Sequence, residues 1–585
     1  MRKIITCLCI VALAVMSTGI LLAQQNEQDQ KFQKIIDEYL EALWKFYPTQ
    51  ATLQGYHEFD DKLEDMGSGD IEKRQEELDE FNQKFVADVD QTQLSPEYQT
   101  IHTMIVDGLE LELMKHENLL PWEYDPLFYN HIIYNSVRSL MTGDFGTAED
   151  RAKNATKRLN NLPGLIKQAM ENLKTPAKLY TETAIEQFPI IMDFYENELP
   201  GLIAQAPSGE QGNLQKKLND LMPELRKYQT FLTDDLLIKS TGNFRLGAAH
   251  RRLMRATMQS HLTLEQLVAQ AKADQNNITR EMFLVCIPFY RIMYPDINLE
   301  RLTTQRGEDQ VRSIVINGVL EKIRADQPEP SEWINAFQQS KNAVREFFNE
   351  SQMIPLPETE LEVTEMAPIH KGPCLTKLMT PPLYAETPSY QVQVAPLDKW
   401  TEEQAVSLLN EYNNLSIPFY TVRNIFPGPF VPAAMTFKDA SVIQKLYPNK
   451  PLLMGWPVLL EEAMVTSGFG NFDLRLRLNQ LKIQLKNVID FNLELNIHEG
   501  GMTKEQAMAY ATRSGFMTEA EAERTWNEII LNPGKAAYTY TGYQELMRME
   551  EAFKKTQGDN YDRKEFLTEV LSHGPIPLRL LRDKI

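Results

Sequence analysis

Apolar residues recur at intervals of three and four along almost the whole chain, and that period dictates a fold of packed amphipathic helices. Phe32, Ile35, Ile36, Tyr39, Leu40 and Leu43 make the first stripe, which stops before Pro48. Comparable stripes cover 71–89, 98–113, 148–173, 178–198 and 213–237, and return over 401–412, 474–495, 503–513, 519–530 and 543–556. Proline and glycine punctuate them. Thr175-Pro176, Leu199-Pro200-Gly201 and Thr241-Gly242-Asn243 read as turns, and Pro163 reads as early in its helix or in a break before it. Thr401 and Thr503 precede acidic residues and read as helix starts.

One stretch breaks the period. Residues 354–396 are proline-rich and hold two short alternating runs, 361–364 and 390–394, whose period of two predicts strands. The expected class is mainly α with one small β-sheet element. The expected division is a signal segment over 1–23, an N-terminal helical region over 24–353, the proline-rich segment over 354–396 and a C-terminal helical region over 397–585.

Arg2 and Lys3 precede an apolar run from Ile4 to Leu22, and Ala23 follows before a polar stretch. That order reads as a secretory signal cleaved after Ala23, against the alternative of an uncleaved anchor. Cys7 and Cys9 sit too early to start a mature lipoprotein. The expected location is periplasmic or extracellular, with no membrane span after cleavage. With 43% hydrophobic residues the chain is ordinary for a globular protein, and a net charge of −21 argues against nucleic acid as a partner. Of four cysteines only Cys286 and Cys374 lie beyond the signal; they can form a disulfide in an oxidising compartment or stay as buried thiols.

Chemical motifs are scarce. There is no HExxH, and the His-Glu pairs at His57, His116 and His498 are followed by no second histidine. GxSxG, Walker and GxGxxG loops are absent too, so no cofactor is expected. What stands out is an ordered series. It includes Pro48-Thr-Gln-Ala-Thr-Leu-Gln-Gly55, Phe244-Arg-Leu-Gly247, Trp400-Thr-Glu-Glu, Glu411-Tyr-Asn-Asn and Arg-Asn-Ile-Phe-Pro-Gly-Pro-Phe-Val-Pro over 423–432. Met454-Gly-Trp, Glu461, Ile497-His498, Asn532-Pro533-Gly534-Lys535-Ala536, Tyr538, Gly542 and His573-Gly-Pro-Ile-Pro-Leu follow.

In that order and spacing the chain resembles the bacterial domain of unknown function 885. The resemblance implies an exported, helical, gluzincin-like body with a central cleft, whose members carry HExxPGH and EGWA. The departures fall on the chemistry. Arg423 stands where the first histidine ligand is implied, Asn424 where the catalytic glutamate is, Pro429 at the second histidine and Met454 at the glutamate of EGWA. Arginine has no lone pair to give, proline no side-chain donor, and a thioether suits softer metals than zinc. Asparagine cannot carry a proton as glutamate does.

The expectation is therefore a degenerate site with no metal. The favoured function is a non-catalytic peptide- or envelope-binding protein on a peptidase-like scaffold. The alternatives are an active zinc metallopeptidase with a non-standard site and a structural subunit of an envelope complex. The resemblance aligns His498 and Tyr538 with an implied histidine and tyrosine that help hold an oxyanion, against plain structural roles. Trp456 joins them as a binding candidate, and so do Tyr390 and Val392, on a strand read as a free edge for an extended peptide. Arg423 is expected either to receive a substrate carboxylate or to pair with Glu461 or Glu462.

Overall fold

The computed structural model describes residues 27–370, 375–398, 400–437 and 439–585. The signal reading and Cys374 lie outside them. The described chain is mainly helical with one small sheet, and it forms two compact units. One takes the chain up to Thr175 with Ile191–Lys239 and Ser441–Tyr447; the other takes Pro176–Ile190, Ser240–Ala440 and Pro448–Ile585. The expected boundaries at 353 and 396 both fall inside the second unit, because composition marks the sheet there and the unit is closed by long-range packing.

In the first unit, helix Ala148–Asn172 buries Leu159, Leu162, Leu165 and Ile166 and packs on Ser208–Thr230, which buries Leu214, Leu218, Leu221 and Leu225. Thr147 caps the first helix by accepting from the Asp150 N–H at 3.1 Å. Pro163 lies in the middle of this unbroken helix, not near its start. One lost backbone bond is tolerable where a continuous apolar stripe holds both flanks. Leu199-Pro200-Gly201 is likewise helical, opening Leu199–Gln205 where it continues from a wider helical turn over Phe194–Glu198.

The Pro48 motif has a structural use. Arg158, fully buried, donates to the carbonyls of Pro48, Lys62 and Ser136 and to Thr52 Oγ1. Glu64 accepts from the Thr49 N–H and hydroxyl at 2.9 and 2.7 Å. Tyr447 brings its short segment into this unit by stacking over Gly108, where a Cβ would lie 2.5 Å from the ring, and by sharing a hydroxyl hydrogen bond with Tyr39.

The second unit holds the sheet, with strands β1 (Leu361–Glu365), β2 (Thr376–Met379) and β3 (Tyr390–Val394) in the order β1-β3-β2. β3 pairs with β1 in parallel and with β2 antiparallel. The expected free edge at 390–394 is therefore the middle of the sheet, with donors and acceptors engaged on both sides. Tyr390, Val392 and Val394 point one way into the core, and Trp333 and Lys341 bind backbone carbonyls of Ala395 and Leu361. Thr401 and Thr503 cap helices as expected, each in a reciprocal box with the glutamine three residues on.

The end of helix Glu402–Glu411 and five further helices of this unit build the site: α1 (Ile417–Asn424), α2 (Lys450–Thr466), α3 (Leu474–His498), α4 (Glu519–Leu531) and α5 (Lys535–Gln557). α3 runs through the core and packs on helix Leu264–Met293, where Cys286 is a fully buried thiol. α2 and α5 touch backbone to backbone. A Cβ on Gly455 would lie 2.2 Å from Gly542 C, and one on Gly542 would lie 1.8 Å from Pro451 O. The two glycines of the motif series are thus the crossing point of two helices.

Candidate functional site

α3 and α4 each carry a polar stripe. Lys482, Lys486 and Asp490 recur every four residues on α3, with Asn487 beside them; Glu521, Arg524, Thr525 and Glu528 follow helical spacing on α4. The stripes meet inside the unit rather than at solvent. Together with α1, Met454 of α2, the start of α5 and Leu375-Thr376 at β2 they line a cavity of about 160 Å³.

Its charges are paired. Arg423 donates through Nε and a terminal nitrogen to both Glu461 oxygens, each at 2.7 Å, and through the other to Asn487 Oδ1 at 2.9 Å. Lys486 donates to both Asp490 oxygens and to Thr525. Lys482 binds both oxygens of Glu521 at 2.8 and 2.7 Å. Arg524 binds Glu411, which also accepts from Tyr420, and Lys535 binds Glu528.

The pairs differ electrostatically. Burial would raise Glu521, but Lys482, Lys486 and Arg324 hold it below the usual range. Burial pushes Asp490 up to about 6; Lys486 opposes the rise, while Glu528 and Glu521 add to it. Burial would lower Lys486, yet Asp490, Glu411, Glu521 and Glu528 keep its ammonium above its ordinary value. Burial also lifts Glu461, against the pull of Arg423. A carboxyl shifted toward neutrality beside a lysine in a cavity is a group whose proton can move.

Of the sequence candidates, Arg423, Asn424 and Met454 line this cavity. Pro429 begins helix Phe430–Thr436 and offers only backbone. Gly428 before it has no room for a side chain, since a Cβ would lie 2.1 Å from Val422 O. Trp456 is fully buried, with its indole nitrogen unpartnered among the described residues. His498 is buried away from the cavity lining, stacked on His250 at 4.8 Å, with Nε2 3.2 Å from Ile529 O. Burial, then the neighbouring His250, lower its pKa. His250 in turn sits between Glu494 and Glu499. Tyr538 is half-buried, and desolvation pushes its hydroxyl up to about 12. Tyr390 donates its hydroxyl to Ala433 O, and Val392 is sealed in the sheet core.

The residues present do not fit a zinc ion. The Arg423 guanidinium has no lone pair to give a metal and is itself spent on Glu461 and Asn487. Among the described residues no group of three or more histidine, cysteine, aspartate or glutamate side chains is arranged to hold a metal. Sequence reasoning missed Lys486, Asp490, Arg524 and Glu528, and had Lys535 only as part of a motif. The signal of the first four was the helical spacing of charges on α3 and α4, which ordinarily marks a solvated face.

Two solved structures share the fold. One is a candidate lipoprotein of unknown function from Shewanella oneidensis, with TM-score 0.78 and 23% identity over 94% of this chain and 99% of that one. The other is a candidate lipoprotein from Colwellia psychrerythraea, with TM-score 0.72 and 14% identity over 95% of this chain and 98% of that one. No curated protein matches the chain. The model of one protein family matches residues 48–585, which span both units and every helix that lines the cavity. The chain belongs to that family, the bacterial proteins of unknown function DUF885.

Proposed function

We propose that this protein is exported and works by binding a peptide or other envelope ligand in the cavity of its second unit, without cleaving it. One observation carries the reading. At the position aligned with a metal ligand, Arg423 is locked into a bidentate pair with fully buried Glu461, beside a polar cavity. A guanidinium fixed in this way supplies permanent positive charge but neither a Lewis acid nor an activated water. Export is supported by the signal-like start over 1–23 and by the description of both fold relatives as candidate lipoproteins. It is also consistent that no described helix is long and apolar enough to cross a membrane.

The test is a thermal-shift screen of the purified protein against a short-peptide library, with peptide cleavage followed by mass spectrometry. Stabilisation by some peptides without cleavage is expected, and Lys486→Met should abolish it. Chelator-sensitive peptide hydrolysis would overturn the proposal.

A further inference from the structure

Among the described residues, one fully buried side-chain polar atom of the cavity lining has no partner. Asn487 lines it and is 8% exposed. Its Oδ1 must face Arg423, which has only donors, so Nδ2 is the amide end turned away from the guanidinium. That nitrogen is buried and has no acceptor among the described residues. A buried amide N–H without a partner is costly, and a site that needs one for a ligand is where such a cost is tolerated.

Cations face the same space. Arg423, Lys486, Arg524 and Lys535 line the cavity against Glu411, Asp490, Glu521 and Glu528, so an incoming anion meets donors that it shares with those carboxylates. Size sets the third limit. A volume of 160 Å³ is that of about five waters at ~30 Å³ each, which fits one residue-sized group and not a run of peptide.

We propose that the cavity recognises a carboxylate on a group of one residue's size, with Asn487 Nδ2 donating to it and the Lys486 ammonium meeting its charge. This rests on the binding-protein reading and narrows it from peptides at large to chain ends or small free acids. Lys486 and Asn487 are neighbours on α3, about 100° apart around the helix, and both line the cavity. To reach the ligand the ammonium gives up one of its Asp490 contacts.

The test is isothermal titration of the purified chain with N-acetyl-dipeptides, the same dipeptides as C-terminal amides, and N-acetyl-amino acids. Free acids should bind at least ~10-fold tighter than amides, as expected for loss of a charge-assisted hydrogen bond. Asn487→Ala should bring that ratio below ~3-fold. A dipeptide preferred over the single residue identifies a peptide C-terminus, and equal binding identifies a free acid; either supports the proposal. If acids and amides bind wild-type protein alike, the carboxylate inference is wrong and the binding reading survives. If none of these probes binds, both fall.

Discussion

Arg423 and Glu461 stand or fall together. Glu461 is fully buried, so Arg423→Ala leaves an uncompensated charge and should cost about 3–5 kcal/mol in urea unfolding. Arg423→Met combined with Glu461→Leu should recover most of that loss, because the pair's stability comes mainly from satisfying groups already out of water. If the single variant unfolds like wild type, the pair is open to solvent. Asp490 gives a pH signature. Its carboxyl sits near 6 in the fold and near 3.9 unfolded, so between those values the folded state holds more protons and stability falls as pH rises. From pH 4 to 7, wild type should lose about 2 kcal/mol relative to Asp490→Asn, read from paired unfolding curves; parallel pH profiles would refute the shift. Arg423 and its partner were legible in the sequence because a motif framed them. Asp490 was not, since nothing in a string of letters says that the polar side of α3 faces another polar side.

At the scale of elements, the α2–α5 crossing brings two helix backbones into direct contact. Gly542→Ala must push a methyl group into the Pro451 carbonyl, and Gly455→Ala one into the backbone of α5. Each should destabilise by about 2–3 kcal/mol through overpacking, and a melting temperature within 1 °C of wild type would show that the helices can part freely. Helix existence was readable from period, and capping from Thr401 and Thr503. Breaks were less so. Pro163 and Pro200 sit within helical runs because packing along a continuous apolar stripe outweighs one missing N–H. β2 was missed, as four residues reading Thr-Lys-Leu-Met are too short for alternation to stand out. Its presence turns β3 from an edge into a centre.

For the whole molecule, charge governs how metal should be assayed. A net charge of −21 gathers divalent cations loosely, and salt near 0.15 M screens that attraction. After a salt wash, elemental analysis should find far less than one zinc per chain, and chelator should move the melting temperature by less than ~1 °C. A tightly bound ion would raise that temperature by mass action, so a clear drop with chelator would sink the metal-free reading. The family and the mainly helical fold could be read from ordered motifs and period; the two-unit partition could not, because its segments meet only in three dimensions. The buried Arg423–Glu461 pair also constrains descent. A lone change of Arg423 to histidine would strand Glu461 before any ligand set existed, and about 3–5 kcal/mol is a large share of the 5–15 kcal/mol a typical domain holds in reserve. Substitution can therefore reshape the pocket around this pair far more readily than it can remove either partner alone.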